Sequence, residues 1–163
     1  MRLAASALAV LLAFAAAGAS AQAVRSERTV SLALASQIAT ETVNACAANG
    51  YAVSATVVDR AGTIKAQLRG DNAGPHTLGS SERKAWTSAS AKNTTSAMQQ
   101  GAQQNPAAAN LVHLPGFLLL GGGVPIKVGN ETIGAVGVGG APGGHLDEQC
   151  AVAALEQVKE QLR

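Results

Sequence analysis

The architecture expected from the chain is an α/β domain of the α+β type, a five-stranded antiparallel sheet flanked by helices within a single domain. Three observations carry that expectation. Apolar residues recur at helical spacing near both ends of the chain, over 31–48 and again from Asp147 to Leu162. Between them lie short β-branched runs, several joined by Gly/Asn/Asp turns tight enough to demand antiparallel pairing. Finally, 142 of the 163 residues follow a short apolar leader, enough for one domain with a modest core.

The leader comes first. Met1-Arg2 places a positive charge before the apolar run Leu3 to Ala17, and Ala19-Ser20-Ala21 offers an A-x-A cleavage site, with Ala21-Gln22-Ala23 as a second. This pattern is that of a secretory signal peptide over residues 1–21, leaving 22–163 as the domain. The run is shorter than the roughly 18–20 apolar residues that span a bilayer. The expected location is periplasmic or secreted, without stable membrane insertion.

Residues 31–48 read as a helix, with Ala35, Ile38, Ala39, Thr42, Val43 and Cys46 along one side and Asn49-Gly50 as the stop. Tyr51 to Asp59 turns to β character, Asp59-Arg60-Ala61-Gly62 makes a turn, and Thr63 to Arg69 returns as the second strand of a hairpin. Gly70 to Gly79 is a loop rich in Gly, Asp, Asn and Pro. Ser80-Ser81-Glu82 starts a helix running to about Ala91, and 95–104 forms a second short one. Phe117 to Leu120 reads as a buried strand, broken by Gly121-Gly122-Gly123. Val124 to Val128 and Thr132 to Val138 follow as strands around the Gly129-Asn130 turn. Gly139 to Gly144 is a flexible connection, and Asp147 caps the last helix, whose buried stripe is Ala151, Ala154, Leu155, Val158 and Leu162.

Two cysteines, Cys46 and Cys150, remain in a chain expected to leave the reducing cytoplasm. They are either one disulfide or two buried thiols acting as small hydrophobes. Side-by-side packing of the first and last helices would bring them within reach of each other.

Most enzyme signatures are missing. Gly121-Gly122-Gly123 is followed by Val124-Pro125 rather than Lys-Ser/Thr, so it is no P-loop, and Pro142 spoils any G-x-G-x-x-G among the later glycines. Neither a glycine-flanked serine nor a Cys-x-x-Cys pair occurs. His76, His113 and His145 are too far apart for a local metal motif. A formal charge of +2 and an aromatic content of 2% leave little with which to hold a phosphate backbone or stack bases, which argues against nucleic acid. A binder of a small ligand is expected, rather than a hydrolase or transferase.

The remaining polar residues gather in the middle of the chain. Lys84, Thr87, Ser88 and Ala91 share one helix face, separate from Ala85, Trp86 and Ala89. Such a strip either lies along a flat or anionic ligand or tops a solvated face. His76, in a Gly/Pro loop before a helix, can ligate haem iron or act as an acid–base group; otherwise such a histidine is a surface residue or a hydrogen-bonded spacer. Three glycines in a row suit the close approach of a ligand or of another backbone, or else form a bulge.

Five stretches, taken in order, resemble the GlcG/HbpS-like haem-binding family, also called the haem-degrading domain family. They are Val57-Val58-Asp59-Arg60-Ala61-Gly62; Gly74-Pro75-His76-Thr77-Leu78 with Arg83-Lys84-Ala85-Trp86-Thr87-Ser88-Ala89; Leu120-Gly121-Gly122-Gly123-Val124-Pro125-Ile126; Ile133-Gly134-Ala135-Val136-Gly137-Val138-Gly139-Gly140-Ala141; and Asp147-Glu148-Gln149-Cys150-Ala151. The resemblance implies an antiparallel sheet flanked by helices, homo-oligomers, and haem or a related tetrapyrrole as ligand. It implies His76 as the iron ligand and Lys84 as the partner of a propionate. Arg83, Thr87, Ser88, Gly121, Gly122 and Gly123 are the other expected ligand-binding residues. Trp86 stands where the family often has Tyr, and Gly139 where Ser is common.

The expected role is therefore transport, buffering or redox sensing of haem. The alternatives are an enzyme that modifies or degrades a tetrapyrrole or another small metabolite, and a non-catalytic oligomeric module docking on a membrane sensor.

Overall fold

The computed structural model describes residues 24–163, so the leader expected over 1–21 lies outside the described residues. They form one α+β domain with strand order β2-β1-β4-β3, every neighbouring pair antiparallel.

Helix α1 (Leu32–Ala47) starts where the Ser31 hydroxyl accepts from Leu34 N, capping an otherwise unpaired amide. It buries Ala35, Ile38, Ala39, Thr42 and Cys46, the stripe its periodicity predicts, with Val43 half-buried beside them. Strands β1 (Ser54–Asp59) and β2 (Ile64–Arg69) form the expected hairpin. Its turn is held by Asp59 Oδ1, which accepts from the amides of Ala61 (2.9 Å) and Thr63 (3.0 Å).

Helix α2 (His76–Ala91) begins four residues before the expected Ser80. Pro75 already holds a helical φ of −62°, and Thr77 donates to the Gly74 carbonyl through both its amide and its hydroxyl. A run that looked like a loop from its composition is thus the first turn of a helix. Helix α3 (Thr95–Gln104) starts at the Thr94 hydroxyl, and a short 3-10 turn covers Ala109–His113.

The sheet has four strands, not five, because Phe117–Leu120 pairs with none of them. Side chains satisfy its backbone instead. Leu118 N donates to Thr87 Oγ1 (2.9 Å), Phe117 O accepts from Arg83 Nη2 (2.7 Å), and Leu120 O accepts from Thr95 Oγ1 (2.8 Å). A short apolar run can cover a helix as readily as join a sheet, and here it lies across α2 and α3. Strands β3 (Gly123–Val128) and β4 (Glu131–Gly139) follow the expected hairpin. Helix α4 (Gly144–Gln157) begins before Asp147, which therefore stands in the first turn and does not cap it. The Gly143 carbonyl accepts from Leu146 and Asp147, closing that turn without a side chain. The helix stops at Gln157, and a 3-10 turn over Lys159–Gln161 leads to Leu162.

Helices α1 and α4 lie together on one face of the sheet and α2 lies on the other. The α1/α4 side is the hydrophobic core: Ile38, Val57, Ile126, Val136, Val138 and Val158 are all buried there. Cys46 and Cys150 form a disulfide across the two helices, with Cα atoms 5.3 Å apart at a sequence separation of 104, so the buried-thiol alternative does not hold.

The α2 side is built differently. Gly123 and Gly137 are register partners, and a Cβ on either would strike α2 backbone, at the Lys84 and Ser81 carbonyls respectively. The helix therefore rides directly on the strands, and hydroxyls fill the remaining space. Ser54 bonds Thr77 and Thr56 bonds Ser81, each at 2.7 Å.

Residues 24–30 run along the sheet, where Val30 is buried and donates to the Ile133 carbonyl. Arg28 and Arg60 converge on Glu131 and hold its carboxyl below the usual carboxylate range, Arg28 contributing most.

Candidate functional site

Helix α2 distributes the expected site residues between two opposite surfaces. Thr77, Ser81, Lys84 and Ser88 recur at helical spacing and are buried against the sheet. The face carrying Lys84, Thr87 and Ser88 is therefore the inward one, and the solvated-face alternative is corrected.

Lys84 lies 2% exposed, with its Nζ 2.6 Å from Asp147 Oδ2, itself 3% exposed. The other Asp147 oxygen accepts from Ala141 N at 3.0 Å. Burial pushes the Asp147 carboxyl up, while Lys84 and the Ala141 amide pull it down.

The glycine triplet surrounds this pair. Gly122, at φ +119°, leaves no room for a Cβ because Asp147 Cβ, the Val138 carbonyl and Lys84 Nζ all crowd the position. Gly121 packs on the backbone of Gly144, and Gly123 on that of α2. What the triplet admits is thus other backbone and a buried ion pair.

Thr87 and Ser88 tie loops to the helix. Thr87 accepts from Leu118 N, and Ser88 donates to the Asn93 carbonyl at 2.8 Å. Sequence spacing missed Asp147 as the partner of Lys84. The available signal was a lone cation among small residues on a helix face, which demands a buried anion if that face turns inward.

The outward face of α2 is a separate surface, where His76, Gly79, Arg83 and Trp86 follow one another at helical spacing. The His76 ring lies back over Gly74, where a Cβ would collide with it. Arg83 is exposed and spends one amino group on the Phe117 carbonyl. Trp86, 36% exposed, is wedged between Gly62 and Gly116 and meets Phe117 edge-on, with ring centroids 5.7 Å apart. Seven helical residues separate His76 from Arg83, about 10 Å along the axis. An imidazole, a guanidinium fork and an aromatic pair therefore lie along one exposed strip.

The other two histidines are elsewhere. His113 is exposed in the 3-10 turn, and His145 is exposed in the first turn of α4. Among the described residues, no three His, Cys, Asp or Glu side chains gather to hold a metal ion, and no helix is long and apolar enough to cross a membrane.

Comparison with known proteins adds to this geometry. A family model described as haem degrading protein HbpS-like matches residues 30–156. A doubly substituted variant of Streptomyces reticuli HbpS is 36% identical, with a TM-score of 0.79, over 85% of this chain and 92% of that one. Klebsiella pneumoniae protein ORFY is 29% identical, with a TM-score of 0.78, over 83% and 94% respectively. PduOC, solved as a haem complex, shares the fold at 21% identity and a TM-score of 0.70, over 78% of this chain and 94% of that one. Among curated proteins, none matches.

Proposed function

The chain belongs to the HbpS-like family, and from that membership we propose that it binds haem or a related tetrapyrrole, for transport, buffering or redox sensing outside the cytoplasm. The observation that carries the reading is this membership, joined to the strip on α2 where a nitrogen donor, an exposed guanidinium and aromatic surface share one face. PduOC, solved with haem, has the same fold. Haem, when bound, would supply an iron centre able to change oxidation state.

The residues of this chain divide the work of holding it. His76 offers an imidazole nitrogen to the iron. Arg83 turns the unused part of its guanidinium fork to a propionate, a role that suits it better than Lys84, whose ammonium is held inside by Asp147. Trp86 and Phe117 give the porphyrin edge an apolar contact. The strip is open, so full burial of a porphyrin takes a second copy of the chain, and a homo-oligomer is part of the proposal.

The test is a titration of the protein with haemin, followed by absorbance and by emission of its single tryptophan, Trp86. A saturable Soret band with quenching of Trp86, both weakened in His76→Ala and Arg83→Ala, is the expected result. A band kept in His76→Ala moves the ligation to His113, His145 or another contact. No saturable band in the unsubstituted protein sinks the haem reading. Decay of the band on adding a reductant and oxygen, beyond the rate for free haemin, would instead favour the degradation named in the family's description.

A further inference from the structure

Residues 93–126 contain no Lys, Arg, Asp or Glu. Within that uncharged run, residues 111–116 carry exposed apolar side chains: Val112 is 52% exposed and Leu114 45%, with Pro115 exposed beside them. Tight turns hold the segment together. Leu111 N donates to the Ala108 carbonyl, Leu114 N to that of Leu111, and Phe117 N to that of Leu114. The surface of a soluble domain normally mixes charges of both signs, and an exposed apolar stretch without any marks a place of contact.

The root of this turn carries an aromatic ring and a cation. Trp86 packs on Gly116 and meets Phe117 edge-on, and Arg83 donates to the Phe117 carbonyl. Lys92, exposed at the end of α2, borders the uncharged run. Residues 83–130 contain no Asp or Glu to answer these cations. The Glu148 carboxyl, which reaches α3 from α4, is turned inward on Ser96 with its second oxygen buried. Tryptophan and long cations beside an apolar tip are the groups that settle at a membrane interface, and unanswered positive charge complements anionic headgroups.

We propose that the turn over residues 111–116 docks this protein reversibly on an anionic lipid surface. Val112 and Leu114 enter the boundary between headgroups and acyl chains, while Arg83 and Lys92 bring positive charge to the level of the lipid phosphates. The protein lies on the bilayer and does not span it.

The test uses residues 22–163, which contain the whole described domain, because the apolar leader would seek a bilayer by itself. The proposal does not rest on the haem reading, and haemin takes no part in the test. Vesicles of equal parts phosphatidylglycerol and phosphatidylcholine are compared with phosphatidylcholine alone, read by sedimentation and by emission of Trp86. Saturable binding to the anionic vesicles is expected, with a blue shift of Trp86 and weakening by added salt. Val112→Ser/Leu114→Ser should bind at least about tenfold more weakly, and its thermal midpoint should hold because both side chains are exposed. Lys92→Gln should bind about fivefold more weakly, which keeps the test decisive if the double variant folds poorly. No binding to the anionic vesicles overturns the proposal, as does equal binding to phosphatidylcholine alone or unchanged binding by the variants. A dimer lost in the double variant, without vesicle binding, would overturn it too and give the turn to a second copy of the chain.

Discussion

Lys84 and Asp147 meet at 2.6 Å across 63 residues of sequence, with both side chains almost wholly withdrawn from water. They join α2 on one face of the sheet to α4 on the other, packed against Gly122 of the glycine triplet. A buried pair of this kind is weak evidence for stability as such, since desolvation offsets much of the attraction, but breaking it leaves a charge stranded.

Lys84→Met strands that charge. The variant should lose roughly 3–5 kcal/mol of unfolding free energy at pH 7, measured by urea denaturation. The sign of its pH dependence follows from burial, which raises the Asp147 carboxyl in the native state. Removing the cation that lowers it raises it further. The contribution of a raised carboxyl is present below its unfolded value, about 4, and is lost as pH rises through the folded one. The variant should therefore approach the unsubstituted protein near pH 4 and fall away toward neutrality. A penalty independent of pH would show that packing, not charge, sets the cost.

Glu131 behaves in the opposite sense. Arg28 and Arg60 depress its folded value, so its contribution is present above the unfolded value and is lost as pH falls through the depressed one. Glu131→Gln should lower the melting temperature at pH 7 by an amount that shrinks steadily toward pH 3. Added salt should shrink it too, since the carboxyl is solvent-facing.

Two glycines bracket the packing of α2. Gly137→Ala drives a Cβ into the Ser81 carbonyl and should cost about 1–3 kcal/mol. Gly79, on the outer side of the same helix, has nothing within 4 Å of a Cβ, so Gly79→Ala should stabilise by about 0.5–1 kcal/mol. Thermal midpoints of the two variants moving in the same direction would contradict this account.

The Cys46–Cys150 disulfide joins positions at a sequence separation of 104 and should contribute about 4–5 kcal/mol in the chain-entropy model. Cys46→Ala/Cys150→Ala and the reduced protein should unfold at similar, lower urea concentrations. A midpoint unmoved by dithiothreitol would show either that the bond resists reduction or that it adds little.

Much of this was legible in the sequence where periodicity was strong. The α1 stripe and both hairpins follow from spacing alone, because each depends on local pattern, whereas the Cys46–Cys150 bond needed the further condition, met in the structure, that α1 and α4 pack side by side. Phe117–Leu120 misled because an apolar tetrapeptide carries no mark of whether its backbone will find strands or hydroxyls. Gly74-Pro75 punctuates the sequence and reads as a loop around His76, although proline just ahead of a helix also favours starting one. The inward face of α2 was the hardest to read. Thr77, Ser81, Lys84 and Ser88 look solvated until Gly123 and Gly137 let the helix close on the sheet, where Ser54, Thr56 and Asp147 partner the first three and the Asn93 carbonyl the fourth.

The cross-link between α1 and α4 has a bearing on how the chain survives damage. The exposed stretch from Asn105 to Gly116 is an accessible place for a protease, and it lies between the two cysteines in sequence. A cut there releases no fragment: the two pieces stay joined through the sulfurs and run as one species until a reductant separates them. A nicked molecule can therefore keep its fold in an oxidising setting and come apart on entering a reducing one.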